Sequence, residues 1–344
     1  MRIAILGPIW KSIPPKAYGG SELIVNLLVE DLVRRGHEVT LFASGDSKTS
    51  AKLSSIFPKN IYDLLGRFDW KDISYNLIHA QKCFQRANEF HIIHNHLGPE
   101  ALVFAPFTKT PVVTTLHSSL PPDWPVIAKA MRNEKYISIS NAQRKNAPYL
   151  NWIANVYHGI EVEKFPFNPK PKGYLFFIGT LSPQKGLDVA VRVAKKTKLP
   201  LIIAGDKRPE FEEFLGREVL PYIDNEQIKL IGEVNFAQKV ELYKNALALI
   251  FPVRWNEAFG LVMIEAMACG TPVIAFDNGA VPEIVENGIT GWAVKSGDEE
   301  GLVEAIKKIK ELNREKIRKV AEEKFNTKRM VDDYEKIYKE ITKK

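Results

Sequence analysis

The sequence predicts an α/β protein built from two doubly wound parallel sheets, and three observations carry that expectation. The chain has 344 residues, 45% hydrophobic and 26% charged, which is enough for two domains that each bury a core. Short apolar runs alternate with amphipathic stretches, and this alternation occurs twice over. The runs are apolar throughout rather than at every second position, as parallel strands covered by helices on both faces require.

The first series of runs is Arg2 to Leu6, Glu38 to Ala43, Ile92 to His94, Val112 to Leu116 and Tyr136 to Ser140. The second is Tyr174 to Ile178, Leu201 to Ala204, Ile228 to Ile231, Ala248 to Phe251 and Pro272 to Ala275. Ligand loops are expected at the carboxyl ends of both sets. Between the series, Phe165-Pro166-Phe167-Asn168-Pro169-Lys170-Pro171-Lys172-Gly173 reads as a linker stiffened by its prolines. It divides the chain into a first domain, residues 1–168, and a second, residues 169–326. From Gly301 onward, Leu302, Ile306, Ile309, Met330, Tyr334 and Ile337 keep helical spacing. The spacing predicts two closing helices broken near Phe325-Asn326-Thr327, with Thr327 as an N-cap. The last of them, 327–344, is expected to pack back on the first domain.

With 21 Gly and 21 Pro the composition is that of an ordinary globular protein, which excludes a disordered or collagenous chain. The net charge is +7, and 14 basic against 8 acidic residues fall between Lys307 and Lys344. A charge confined to the tail does not build a nucleic-acid groove. It is expected to be a solvated helix face, with a weak peripheral contact to anionic lipid heads as the alternative. Cys83 and Cys269 are the only cysteines, too few for a disulfide framework or a thiolate metal site. The run Ile3 to Leu6 ends at Gly7-Pro8 without a secretory core, and no stretch of 18 apolar residues occurs. The expected location is the cytoplasm, at most peripheral to the inner face of the membrane.

The segment most informative about chemistry runs from Phe251 to Ala275: a strand, a polar loop, a helix opening near Gly260, a stop at Gly270 and the next strand. Glu265 sits in the middle of an otherwise apolar or small helix, where a carboxylate without a partner costs several kcal/mol. Glu257 precedes the helix, beside the backbone N–H groups of Ala258, Phe259 and Gly260, which can serve a hydroxyl or a phosphate. One carboxylate on a loop and one on the helix behind it suit a polyol that spans them. A sugar nucleotide has that shape, with Glu265 taking the ribose hydroxyls and Glu257 those of the sugar.

Glu257, Phe259, Gly260, Glu265, Ala266, Gly270 and Pro272 stand at the positions of the E-x7-E segment of retaining glycosyltransferases of family 4, which this run resembles. The resemblance implies the GT-B fold of two facing Rossmann-like domains. It also implies transfer of a sugar from a nucleotide-diphosphate donor to a hydroxyl acceptor with retention of anomeric configuration. Gly179-Thr180-Leu181-Ser182-Pro183-Gln184-Lys185-Gly186 follows a strand and opens a helix, so Lys185 can neutralise a diphosphate there. It is similar to the family's G-R-x-x-x-x-K-G element, except that Thr180 stands where an arginine is usual. Arg254, Lys207 and Arg208 are the candidates to replace that charge. Tyr18-Gly19-Gly20-Ser21-Glu22 precedes an amphipathic helix. Paired glycines allow a close backbone approach to a ligand but equally serve loop closure. In the family a glycine loop lies over the donor phosphates at this place. With Arg34 to Ala43, the run is similar to the subgroup of the avilamycin-pathway glycosyltransferases.

His94, His96 and His117 fall at strand ends. His94 and His96 lack a third ligand at recognisable spacing, so a metal is not expected. The resemblance places His117 over the donor sugar, and Asn95 and His96 beside the acceptor. Leu230-Ile231-Gly232-Glu233-Val234 resembles the strand end whose backbone meets the nucleobase. Asn235 and Lys239 either touch the base edge or simply start a helix. The catalytic set implied is His117, Lys185 and Glu257. No resident cofactor, metal or nucleic acid is implied, and the acceptor is a saccharide, a lipid-linked group or a small molecule. Trp10, Tyr18, Trp70, Trp124 and Trp152 can stack on a sugar, with core packing as the default. Two other readings stand beside transfer: a sugar-nucleotide 2-epimerase of the same architecture, and a two-lobed sugar-binding protein without catalysis. A Rossmann dehydrogenase is disfavoured because Gly7-Pro8-Ile9-Trp10 lacks G-x-G-x-x-G.

Overall fold

The computed structural model describes residues 1–16, 19–66, 73–120, 126 and 129–343. Tyr18, Trp70 and Trp124 lie outside these. The chain forms two compact units, one of Met1–Gly159 with Thr327–Lys344 and the other of Ile160–Asn326.

The first unit holds β1 (Arg2–Leu6), β2 (Glu38–Phe42), β3 (Lys52–Ser54), β4 (Ile92–Asn95), β5 (Val112–Thr115), β6 (Lys135–Ser138) and β7 (Trp152–Asn155). They form one parallel sheet in the order β3-β2-β1-β4-β5-β6-β7. Its centre is apolar on both faces: Ile3, Ala4, Ile5 and Leu6 of β1 are fully buried, as a strand between two helical layers must be. The second unit repeats the pattern with β8 (Tyr174–Ile178), β9 (Leu201–Ala204), β10 (Ile228–Leu230), β11 (Ala246–Phe251), β12 (Val273–Phe276) and β13 (Gly291–Val294). Its parallel order is β10-β9-β8-β11-β12-β13. Leu175 and Phe177 of β8 pack in one core cluster with Leu187 and Val191 of the helix Leu187–Thr197. Phe176, pointing the other way, meets Tyr243 edge to face. In each unit the strand order reverses beside the first strand, between β1 and β4 and between β8 and β11. Such switch points open a crevice at the carboxyl ends, where ligands of doubly wound sheets bind.

Three strands escaped the sequence reading: β3, β7 and β13. All three are edge strands, and their residues are half-buried or exposed apart from Gly291. An edge strand shows no continuous apolar run.

The division between units falls at Gly159/Ile160, before the expected 168/169, and the proline segment is no free linker. Phe165 is buried, and Asn168 N donates to Cys269 O at 3.3 Å. Arg314 Nε donates to Asn168 O at 2.8 Å, and Arg318 donates to the carbonyls of Phe165 and Ala268. The segment therefore belongs to the second unit. Arg314 also reaches Thr271 Oγ1 at 2.7 Å and the carbonyl of Ala246 at 3.1 Å, so this cation of the basic tail is structural rather than solvated. Burial lowers its pKa to about 10.

Three helices, not two, close the chain: Glu299–Lys307, Arg314–Lys324 and Thr327–Thr342. Asn313 starts the middle one by accepting from Lys316 N, a cap that the run of helical spacing conceals. Thr327 is a residue of the last helix rather than its cap, and its buried Oγ1 has no hydrogen-bond partner among the described residues. That helix belongs to the first unit. Arg35 bonds Asp332 and Glu335 at 2.6 Å each. Trp152 of β7 is a packing residue: it meets Tyr136 edge to face, and its Nε1 donates to Ala147 O at 2.7 Å. Among the described residues no helix is long and apolar enough to cross a membrane.

Candidate functional site

At the β8/β11 switch point the second unit gathers Gly179, Thr180, Lys185, Arg254 and Glu257 on the two loops that leave those strands. Ser182 caps the short turn Pro183–Lys185, accepting from Lys185 N at 3.4 Å. Gly186 follows at φ 72°, and a Cβ there would lie 1.9 Å from Pro252 O. Only glycine permits that approach. It presses the loop after β8 against the loop after β11, and Arg254 N donates to Gln184 O at 2.8 Å across the seam.

Lys185 Nζ lies 2.7 Å from Glu257 Oε2, with both side chains mostly withdrawn from solvent (14% and 11% exposed). Trp255 completes the group: its Nε1 donates to the same carboxylate oxygen at 2.9 Å, and the ammonium stands 4.5 Å from its ring centroid. Glu257 is held from behind by Gly279, where an added Cβ would come within 2.3 Å of the Glu257 backbone N. Ala280 N donates to Glu257 O at 2.8 Å. Ala258 and Phe259 are buried, and Gly260 precedes the helix Leu261–Ala268.

Glu265 in that helix is 3% exposed, and the partners such burial demands come from the helix Phe236–Asn245. Lys239 Nζ reaches Oε1 at 2.5 Å and Tyr243 donates to Oε2 at 2.9 Å. Burial, then the neighbouring carboxylate, raises the Tyr243 phenol well above its ordinary pKa. Each Glu265 oxygen keeps a second lone pair for a ligand. Asn235 is the helix cap, in a reciprocal capping box with Gln238, and Val234 precedes it, half-buried. The sequence missed Lys239 and Tyr243 as partners of Glu265, although their i, i+4 spacing puts them on one helix face.

The three cations considered as stand-ins for the usual arginine are all paired. Arg254 forms a bidentate bond to Asp188 at 3.0 and 2.6 Å, Arg208 meets Asp206 at 2.7 Å and Lys207 meets Glu212 at 4.0 Å. Thr180 is buried.

The first unit has an uncharged cluster at the carboxyl ends of β4 and β5. His96 Nδ1 lies 2.8 Å from His117 Nε2, and His96 Nε2 lies 3.1 Å from His94 Nδ1. His94 reaches Thr115 Oγ1 at 2.8 Å and Tyr338 of the last helix at 2.5 Å. His158 stacks on His117 with centroids 5.3 Å apart. Burial lowers the His117 pKa to about 4, and burial holds His94, His96 and His158 well below the usual range. The rings are therefore neutral at pH 7. The sequence singled out three of the four histidines but neither His158 nor Tyr338, because both are distant in the chain from β4 and β5. Asn95 locks the loop after β4, donating to Gly98 O at 2.7 Å while its Oδ1 accepts from Leu97 N at 3.0 Å. Gly19 and Gly20 open the helix Gly20–Arg34, and a Cβ at Gly19 would lie 2.7 Å from Pro15 Cβ.

Two family models together match almost the whole chain: Glycosyltransferase Family 4 over residues 18–163 and Glycosyl transferases group 1 over residues 160–326. The chain is a family 4 glycosyltransferase. Its division between the two models coincides with the division between the units. An uncharacterized glycosyltransferase of Methanocaldococcus jannaschii is 26% identical, with 92% of this chain and 95% of that protein aligned. Among solved structures, AviGT4, a glycosyltransferase involved in avilamycin A biosynthesis, superposes with a TM-score of 0.73 at 21% identity, covering 99% of this chain and 98% of that one. HepE of Anabaena, solved in complex with UDP and glucose, gives a TM-score of 0.76 at 18% identity over 99% of this chain and 100% of the other. These similarities establish the GT-B fold.

Proposed function

We propose that this glycosyltransferase moves a hexosyl group from a nucleotide-diphosphate sugar to a hydroxyl acceptor with retention of anomeric configuration. The observation that carries the reading is the Lys185–Glu257 pair, a cation and a carboxylate 2.7 Å apart at a switch point. A donor presents a diphosphate next to a polyol, and so offers each member of the pair a partner better than the other. The diphosphate draws Lys185 away, and the freed Glu257 accepts from the sugar hydroxyls. Glu265, oriented by Lys239 and Tyr243, accepts from the ribose. The UDP bound by HepE supports a nucleotide donor.

Gly19, Gly20, Gly179, Thr180, Arg254 and the backbone of Ala258, Phe259 and Gly260 complete the donor contacts, and the Val234 backbone meets the base. His117, neutral at working pH, bonds a sugar hydroxyl. Asn95 and His96 lie on the acceptor side, where a saccharide, lipid-linked or small-molecule hydroxyl enters. In the transfer the acceptor oxygen attacks the anomeric carbon on the face that the phosphate leaves. The bond from that carbon to the phosphate oxygen breaks, and the acceptor's proton passes to the departing phosphate. Lys185 and the backbone N–H groups stabilise the charge that develops there, so the reaction needs no divalent metal. The setting is the reducing cytoplasm, which suits two free buried cysteines.

The test is a screen of UDP-, GDP- and ADP-sugars with mass detection of products, run with and without EDTA. The expected result is acceptor gaining a hexosyl mass, free nucleoside diphosphate, a retained anomeric configuration by NMR and no loss of rate with chelator. Conversion of the nucleotide sugar to its epimer with no acceptor present would overturn the reading. Calorimetry that finds free sugar bound and nucleotide ignored would overturn it as well.

A further inference from the structure

The hydrogen-bond chain of the first unit has a direction, and the direction follows from counting donors. A neutral imidazole carries one N–H and one lone pair, so the state of one ring fixes the next. Tyr338 Oη, buried in the last helix, has one hydrogen-bond partner among the described residues, His94 Nδ1 at 2.5 Å. A buried phenol whose one hydrogen-bond partner among the described residues is that nitrogen must donate to it, or its own hydrogen goes unsatisfied. His94 Nδ1 is then the acceptor, and its Nε2–H donates to Thr115 Oγ1 at 2.8 Å.

His96 Nε2 faces the same His94 Nδ1 at 3.1 Å. Two acceptor nitrogens would repel, so His96 Nε2 carries the hydrogen, sharing the His94 Nδ1 lone pair as the longer branch of a bifurcated bond with the Tyr338 hydroxyl, and His96 Nδ1 is the acceptor. The partner of that nitrogen is His117 Nε2 at 2.8 Å, which must be the donor. What remains on His117 is Nδ1 with its lone pair, buried and without a hydrogen-bond partner among the described residues. The opposite arrangement, with every ring reversed, leaves the Tyr338 hydrogen with no acceptor.

We propose that Tyr338, acting through His94 and His96, is a positioning residue that fixes His117 as the Nε2–H tautomer and so presents Nδ1 as a hydrogen-bond acceptor for a substrate hydroxyl. The final clause rests on the proposed transfer reaction; the tautomer does not. A lone pair selects a hydroxyl or amine of the sugar and rejects a carbonyl or ether oxygen at the same place, since those bring no hydrogen. Tyr338 thus sets the substrate chemistry from a helix in which it touches no substrate.

The experiment is imidazole nitrogen NMR at pH 7 on the full-length protein, with histidines assigned by single His→Gln variants, together with transfer kinetics. In the wild type, His117 Nδ1 should resonate as an unprotonated nitrogen and Nε2 as a protonated one. Tyr338→Phe keeps the ring and removes the hydroxyl, so His94, His96 and His117 should shift together toward the opposite tautomers, with kcat down about tenfold and donor KM within about twofold. Thr115→Val removes the acceptor of His94 Nε2–H and should push the same way, which keeps the proposal testable if Tyr338→Phe fails to fold. A His117 protonated on Nδ1 in the wild type, or tautomers unmoved in both variants, would overturn it. A shifted tautomer with unchanged kcat would overturn the acceptor role of Nδ1 alone. Absence of any sugar transfer by a wild type with the expected tautomer would count against the transfer reading, not against the relay.

Discussion

The two units share one strand order and one place for a ligand, yet they furnish that place in opposite ways. The second unit lines its switch point with ion pairs: Lys185 with Glu257, Lys239 with Glu265 and Arg254 with Asp188. The first lines its strand ends with neutral rings joined in a chain, His94, His96 and His117. All seven histidines of the sequence lie in the first unit and none in the second. The backbone topology supplies only a crevice. Side chains decide whether the crevice holds charge, as a diphosphate needs, or directional neutral bonds, as sugar hydroxyls need.

The comparison breaks most clearly with acid. Burial lowers the His79 pKa to about 4, as it does that of His117. As the pH falls from about 6.5 toward 4, the unfolded chain takes up protons at these sites that the folded unit refuses, so stability is lost in that window. At pH 5 the loss is about 2 kcal/mol for His79 alone, and the other four buried histidines add to it. In the second unit Asp224 is held near 2, chiefly by the backbone N–H of Ile228, and stays ionised at pH 5. Scanning calorimetry at pH 7 and pH 5 should show the first unit's transition move down alone. Two transitions falling in step would mean that the contrast has no energetic weight.

Next in size is Lys185→Ala, expected to lower kcat by about 10²- to 10³-fold while donor affinity changes less. Single-turnover kinetics checks it, and unchanged turnover removes Lys185 from the site. Glu265→Ala leaves the buried Tyr243 hydroxyl without its acceptor, a loss of about 1–3 kcal/mol. It should also weaken nucleotide binding about tenfold or more by calorimetry. Equal nucleotide affinity would reduce Glu265 to a packing residue. The smallest effect is expected of Arg254→Ala. Its guanidinium is 40% exposed and already neutralised by Asp188, so stability should change by less than about 1 kcal/mol and donor KM by about threefold to fivefold. A loss of turnover as large as that of Lys185→Ala would instead make Arg254 the replacement for the missing arginine.

The sequence carries those parts of the fold that burial writes into composition. Central strands such as Ile3 to Leu6 and Leu175 to Ile178 are apolar because both faces are covered. The edges Lys52–Ser54 and Trp152–Asn155 are not, and they passed unseen. The prolines from Pro166 to Pro171 marked irregular backbone correctly, but composition does not say what irregular backbone is fastened to. Arg314 and Arg318, about 150 residues further on, tie this stretch to the second unit. The site shows the same limit. Lys185, Glu257 and Glu265 stand out through motif spacing. Lys239, Tyr243, His158 and Tyr338 matter through contacts that only the folded chain makes, up to 244 positions apart for His94 and Tyr338.

The helix Thr327–Thr342 completes the first unit but follows the second in the chain. During synthesis the second unit is contiguous and can close as soon as it emerges. The first must wait, its sheet made early and its last helix supplied only after the ribosome has passed Asn326. Throughout that interval His94 keeps Thr115 and His96 as partners but lacks the tyrosine that orients it, and the rings that the last helix will cover stand open to water. Early strands held open in this way are the part of the molecule on which a chaperone would act.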